Sequence, residues 1–270
     1  MISDACQRWR RRCARYRPAG EVVDVSRYEV ALHPKHSPLK AFVEEHHYAG
    51  TWPATRFAFG LHDRGGELVG VAAFSVPVRD AVLRPLPLGA DAVELGRLVL
   101  LDVVPGNAES FFVARCAEVL RREGIAGAVA FSDPLPRSRD DGTVFKPGHL
   151  GTIYTALSAV YLGPARAHTL LLLPDGRSFN RRSLAKIRRR DRGWRYAVEQ
   201  LVEAGAPEPG ANLDAWLDHA LTTVVRRVPH PGCLKYALPF DARTRRALPA
   251  SKPYPKIERP RCERVTGRCA

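Results

Sequence analysis

Long apolar runs are missing from this chain: no stretch of about 18 consecutive apolar residues occurs, which excludes a conventional membrane-spanning helix. The basic amino-terminal stretch MISDACQRWRRRCARYRPAG has no apolar segment of the secretory kind, so the expectation is a cytoplasmic protein. No internal repeat is visible, which argues against a solenoid or propeller. Acids are scarce relative to bases, 28 Asp and Glu against 42 Lys and Arg, for a formal net charge of +14. The 270 residues suffice for one sizeable core, alone or with an appendage.

The positive charge is unevenly placed. Residues 1–17 hold six Arg and one acid, 176–196 hold nine Arg or Lys and one Asp, and 243–270 hold nine Arg or Lys and two Glu, while the remainder is slightly acidic. A near-neutral body carrying three basic segments is the electrostatic footprint of a polyanion-binding protein, because each neutralised phosphate releases counterions. An Arg-rich composition alone would spread the charge evenly. Of the six cysteines, Cys116 falls on the apolar face of a helical pattern and reads as core. Cys6 and Cys13 are seven apart, as are Cys262 and Cys269; a zinc site and unrelated free thiols are the two readings, though zinc sites favour closer spacings.

The pattern of elements divides the chain into a basic segment 1–26, a core 27–174 and a basic extension 175–270 that packs on the core. RYEVALH alternates as a strand, and SPLKAFVEEHHYAG reads as a helix opened by Pro38 and closed by Gly50. A hairpin of TRFAFGLHD and ELVGVAAFSVPV follows, then a strand over 92–101, a helix over 108–123 and a buried strand ending in Ser132, Asp133 and Pro134. Residues 135–147 read as a polar, mobile linker, 149–161 as a helix and AHTLLLLP as a strand. Helices are expected at 181–204 and 212–227, with an extended basic wrap at the end. The fold class is α/β, with one central mixed sheet flanked by helices.

Several side chains stand where packing alone would not place them. Glu94 and Arg97 lie inside an apolar strand and, being three apart, are expected on opposite faces, so that one enters a crevice. Arg97 suits an anion such as a phosphate, a pyrophosphate or a carboxylate, and a buried ion pair with Glu94 is the competing reading. Gly106, Asn107 and Ser110 sit at the start of the next helix, where unpartnered backbone N–H groups favour an anion, although capping explains Asn107 equally well. Asp133 ends a buried strand, where α/β sheets open their ligand crevice, and is a candidate general base or base-edge reader. Tyr154 would donate a proton or stack a base.

The pieces HHYAG at 46–50, ELGRLVL at 94–100, PGNAESFF at 105–112, FSDP at 131–134 and HLGTIY at 149–154 occur in an order similar to that of the Mom family of phage DNA-modification proteins, a divergent branch of the GNAT acyltransferase superfamily. SLAKIRRRDRG at 183–193 and HPGCLKYALP at 230–239 agree, so the resemblance runs from about residue 27 to 256. It implies a GNAT-like fold and a phage-encoded transferase that converts the N6 amine of adenine in DNA into a glycinamide-type (carbamoylmethyl) group, against restriction. It further implies a flipped adenine in double-stranded DNA, with Asp133, Tyr154, Ser110, Tyr48 and Arg97 as catalytic candidates. Phosphate contacts would come from Arg182, Lys186, Arg188, Arg189, Arg190 and Lys235. A small-group donor, acetyl-CoA or another, would use Arg97, Gly106, Asn107 and Ser110; His47 and Tyr48, with His149 or Asp133, are candidates for an iron site, and exposed or packed histidines are the competing reading. One departure stands out: ordinary GNAT enzymes carry a Gly-rich loop where this chain keeps only Gly106. The competing functions are a GNAT N-acyltransferase acting on a small molecule or protein, and a non-catalytic DNA-binding module.

Overall fold

The computed structural model describes residues 5–77, 82–83, 86–89 and 91–256. Cys262 and Cys269, and with them the terminal zinc reading, lie outside the described residues. In chain order the elements are β1 (Ala5–Arg10), β2 (Cys13–Pro18), β3 (Tyr28–Leu32), α1 (Ser37–His46), β4 (Thr55–Asp63), β5 (Leu68–Ser75), β6 (Val93–Leu100), α2 (Ala108–Arg122), β7 (Gly127–Ser132), β8 (Arg137–Ser138) and β9 (Val144–Lys146). They continue as α3 (Thr152–Ala156), β10 (Val160–Pro164), β11 (His168–Leu172), α4 (Arg181–Arg189), α5 (Trp194–Glu203), α6 (Leu213–Thr223), β12 (Arg226–His230), β13 (Leu234–Pro239) and α7 (Ala242–Ala247).

The central sheet has seven strands in the order β10-β13-β7-β6-β5-β4-β3, antiparallel throughout except for the β6–β7 pair. Helices cover both faces, so β5 is apolar from Leu68 to Phe74 rather than alternating. On one face α2 buries Phe112, Cys116 and Leu120, each one helical turn from the last, against Phe59, Phe74 and Leu95. On the other, Leu39, Phe42 and Val43 of α1 pack on Ala58, Val71 and Val99, together with Trp9 of the β1–β2 hairpin.

Four expectations change here. The chain after residue 175 is not only an extension: β13 lies between β7 and β10, inside the central sheet. The expected helix over 149–161 shrinks to α3, because Gly151 at positive φ starts it late and Ser158 at positive φ ends it before β10. The linker 135–147 folds as the β8–β9 pair and buries Lys146, and the helix over 181–204 divides at Gly193 into α4 and α5. A second apolar core, built from Phe179, Ile187, Leu201, Trp216 and Leu217, holds α4, α5 and α6 together as a helical lobe.

The most consequential difference is local. The β5–β6 register passes from Ala73 opposite Arg97 to Phe74 opposite Leu95, so Gly96 is an extra residue, a β-bulge. A Cβ at Gly96 would stand 2.6 Å from Ser75 Oγ, which explains the glycine. The bulge shifts the alternation by one, and Glu94 and Arg97 therefore share a face instead of lying on opposite ones.

Candidate active site in the parted strands

Strands β6 and β7 pair only through Val93–Ala128 and Glu94–Val129 and then diverge. A cavity of about 980 Å³ opens there, walled by Leu95 to Leu98 of β6, Phe131 beyond the last pair of β7, and the segment from Lys146 to Ala156. The remaining wall comes from His47 and Tyr48 after α1, from Asn107, Glu109 and Ser110 at the start of α2, and from the β1–β2 hairpin. The volume is at the upper end of ligand pockets, which span roughly 300–1,000 Å³.

The structure brings most of the expected residues to this one cavity: Tyr48, Arg97, Asn107, Ser110, His47, His149 and Tyr154 all line it. Arg97 donates from Nε to Thr51 O (3.1 Å), from Nη2 to Thr51 Oγ1 (2.9 Å) and from Nη1 to Gly96 O (2.6 Å), bracing β6 against the loop after α1. Among the described residues it forms no ion pair with Glu94. Burial pushes the Glu94 carboxyl up despite the nearby guanidinium, and the same burial pulls Arg97 down. Tyr154 is buried beside Tyr236, at a ring separation of 4.9 Å, and burial raises its phenol far above the ordinary value, so it stays protonated. Burial also raises Tyr48 and lowers His149 to about 4. At neutral pH these imidazoles and phenols are uncharged, and Arg97 and Lys146 bring positive charge to the same wall.

Asp133 takes a different part from the expected one. Its Oδ1 accepts from His230 Nε2 at 2.9 Å and from the Leu135 N–H at 3.0 Å; its Oδ2 accepts from Arg137, with Lys146 Nζ at 3.4 Å. Burial opposes ionisation, but Lys146, His230 and Arg137 together hold the carboxylate well below the usual carboxylate range. Both of its oxygens are occupied by these donors, and the cavity wall at this point is made by its neighbours Phe131 and Pro134. Asp133 is therefore a positioning residue. It fixes Lys146, which also donates to the carbonyls of Asp133 (3.0 Å) and Leu135 (3.2 Å) and faces the Tyr48 ring at 5.8 Å. Burial lowers that ammonium to about 8.

Arg137, Lys146 and His230 escaped the sequence reading. His230 lies 97 positions from Asp133, and a polar linker gave no sign that Lys146 would be buried. Gly232 donates its N–H to His230 Nδ1, which leaves the hydrogen on Nε2, facing Asp133.

Two placements do not fit the local geometry: iron at His47, Tyr48 and His149, and a pyrophosphate at the turn before α2. Iron does not fit His47, Tyr48 and His149: His47 Nδ1 accepts from the Ala49 N–H at 3.1 Å, so Nε2 carries the hydrogen and has no lone pair to offer, and burial opposes the phenolate that Tyr48 would need. Among the described residues no group of three or more His, Cys, Asp or Glu is arranged to hold a metal ion. A CoA pyrophosphate does not fit the turn before α2 either. The Gly106 N–H donates to the Glu21 carboxylate at 2.5 Å, the Asn107 N–H to Cys6 Sγ at 3.4 Å, and Pro18 O crowds the Gly106 Cα. Asn107 adopts a left-handed backbone and makes no side-chain cap; Ser110 Oγ turns back to Asn107 O at 2.9 Å. The β1–β2 hairpin, anchored by fully buried Arg8 on Glu109 and on the carbonyls of Val104 and Pro105, occupies the place.

The expected phosphate contacts separate. Arg182, Arg188, Arg189 and Arg190 are exposed on or just after α4, with Lys186 half-buried beside them. Lys235 is elsewhere: on β13, with its ammonium donating to Val82 O at 2.7 Å.

A mixed α/β sheet that parts between two parallel strands opens its cavity at the strand ends, the place where sheets of this kind commonly take ligands. The chain belongs to the Mom protein family, whose model matches residues 27–256. No curated protein matches the sequence. Similar solved structures include a GNAT family N-acetyltransferase (YhbS) from Escherichia coli in complex with CoA, 16% identical, covering 40% of this chain and 64% of that one with a TM-score of 0.31. Another is a tandem GNAT protein from the clavulanic acid biosynthesis pathway without AcCoA, 12% identical, covering 70% of this chain and 84% of that one with a TM-score of 0.38. Scores this low carry no argument about chemistry. Of the described residues, no helix is long and apolar enough to cross a membrane.

Proposed function

We propose that this protein is a transferase that modifies the N6 amine of adenine in double-stranded DNA, to a carbamoylmethyl-type product that blocks restriction. The observation that carries the reading is the cavity in the parted sheet, walled by neutral imidazoles and protonated phenols in a chain of this family. Adenine N6 is a poor nucleophile, since its lone pair is delocalised into the ring. Its proton must leave as the new N–C bond forms, and the leaving group of the donor must carry off the electron pair. His149 is neutral at pH 7 and accepts that proton; Tyr154 keeps its own and donates a hydrogen bond to charge developing on the donor. Arg97 orders the loop that carries Thr51 and presents positive charge to the same cavity.

The DNA duplex is gripped by the exposed arginines of α4, while the target base leaves the stack and enters the cavity. Nucleoside mass spectrometry of DNA from expressing cells, with digestion by restriction enzymes, tests the reading: a heavier deoxyadenosine and resistance are expected. Unmodified nucleosides beside soluble protein overturn it. A modified small molecule or protein with unchanged DNA indicates an N-acyltransferase instead.

A further inference from the structure

The β1–β2 hairpin precedes residue 27, where the family match begins, yet it supplies Cys6, Gln7, Trp9 and Tyr16 to the cavity wall. Its attachment is firm, through buried Arg8 and through Trp9, whose ring stands 5.0 Å from that of Tyr48. Two of its residues have no role in that attachment. Gln7 and Tyr16 are cross-strand partners and so share a face. Gln7 Nε2 is buried without a hydrogen-bond partner; among the described residues Arg137 Nε is the other side-chain nitrogen in that state, and of the two residues only Gln7 lines the cavity. Leaving a buried amide unpaired is unfavourable, and a ligand in the cavity would relieve it. Tyr16 is 60% exposed at the rim, in a hairpin that also exposes Arg11, Arg12 and Arg15.

A carboxamide that offers one donor and one acceptor in a plane matches the N7 acceptor and N6 donor of adenine, a phenol ring stacks on a base, and arginines neutralise phosphates. We propose that the hairpin is a base-reading element: Gln7 hydrogen-bonds the edge of an adenine lifted out of the duplex, and Tyr16 stacks on a base at the cavity mouth. This deepens the proposed function and rests on it for the choice of base.

The test needs no donor. Affinity is measured by fluorescence anisotropy for duplexes carrying one unpaired adenine, one unpaired cytosine, or none. Wild-type protein is expected to prefer the unpaired adenine over cytosine by about tenfold. Gln7→Met should abolish that preference and leave affinity for the fully paired duplex unchanged, and Tyr16→Ala should weaken both unpaired duplexes by about tenfold. Circular dichroism and thermal unfolding confirm that each variant is folded. If Gln7→Met misfolds, Gln7→Glu serves: without an N–H donor for N7 it should also lose the preference. Absence of an adenine preference in the wild type, or its persistence in folded Gln7→Met or Gln7→Glu, overturns the inference. Adenine modified in cells without that preference removes the hairpin reading alone; the preference without modification removes the transferase reading alone.

Discussion

The cavity and the helical lobe handle charge in opposite ways. Around the cavity, ionisable groups are buried and either neutralised by burial, as His149 and Tyr154 are, or locked into a closed network, as Asp133 is with His230, Arg137 and Lys146. In the lobe the apolar residues do the packing, and Arg182, Arg188 and Arg189 stay in solvent with weak partners, such as Arg188 to Asp218 at 3.9 Å. The first arrangement fixes protonation states at the cost of desolvation. The second keeps charges hydrated and free to meet phosphates. The two regions join directly, because β12 leaves the lobe and ends at His230, which donates to Asp133 beside the cavity-lining Pro134.

If that contrast is right, the largest effect comes from breaking the closed network. Asp133→Ala leaves three donors unpaired in a buried site and should cost about 3–5 kcal/mol of stability, measured by chemical denaturation. A loss under about 1 kcal/mol, as expected for a surface pair, would erase the distinction between the two regions.

Acid should find the same difference. The folded pKa of His149, about 4, lies below the ordinary value of about 6.5, so the unfolded chain binds more protons between them. The contribution of His149 is full above about pH 6.5 and declines as pH falls toward 4. Asp133, held below the carboxylate range, adds its own loss at still lower pH. Melting temperature followed across this range should fall, and His149→Asn should flatten the upper part of the decline.

Tyr154→Phe removes one hydroxyl from the cavity and should lower modification about a hundredfold in nucleoside analysis, with the melting temperature within a few degrees of wild type. Equal modification would return Tyr154 to a packing role. Reversing Arg188 and Arg189 should reduce the slope of log affinity against log salt by about two, one per lost phosphate contact. Arg188→Ala alone should change folding stability least, by at most about 0.5 kcal/mol.

Much of the sheet was legible, because burial imposes its period on the sequence: β3 to β7, α1 and α2 stand close to where the alternation and the helical stripe put them. Glu94 and Arg97 show where that logic stops. Strict alternation assigns them to opposite faces, whereas the bulge at Gly96 returns them to one. A lone glycine inside a strand was the available signal. Segment 135–147 erred in the other sense, since polarity suggested solvent and the structure used Arg137 and Lys146 to surround a buried carboxylate.

The sequence by itself determined the class of sheet, the segregation of charge into basic segments and the set of unusual polar residues that meet in one cavity, because those depend on local period and composition. Tertiary structure alone decided which of these residues face a ligand and which hold each other. Asp133 became a closed anion only when His230 arrived from a strand 97 residues away, and the amides of Gly106 and Asn107 before α2 were taken only because Glu21 and Cys6, from the start of the chain, folded onto them. Such pairings join residues distant in the chain, and no local pattern encodes which groups burial will bring face to face.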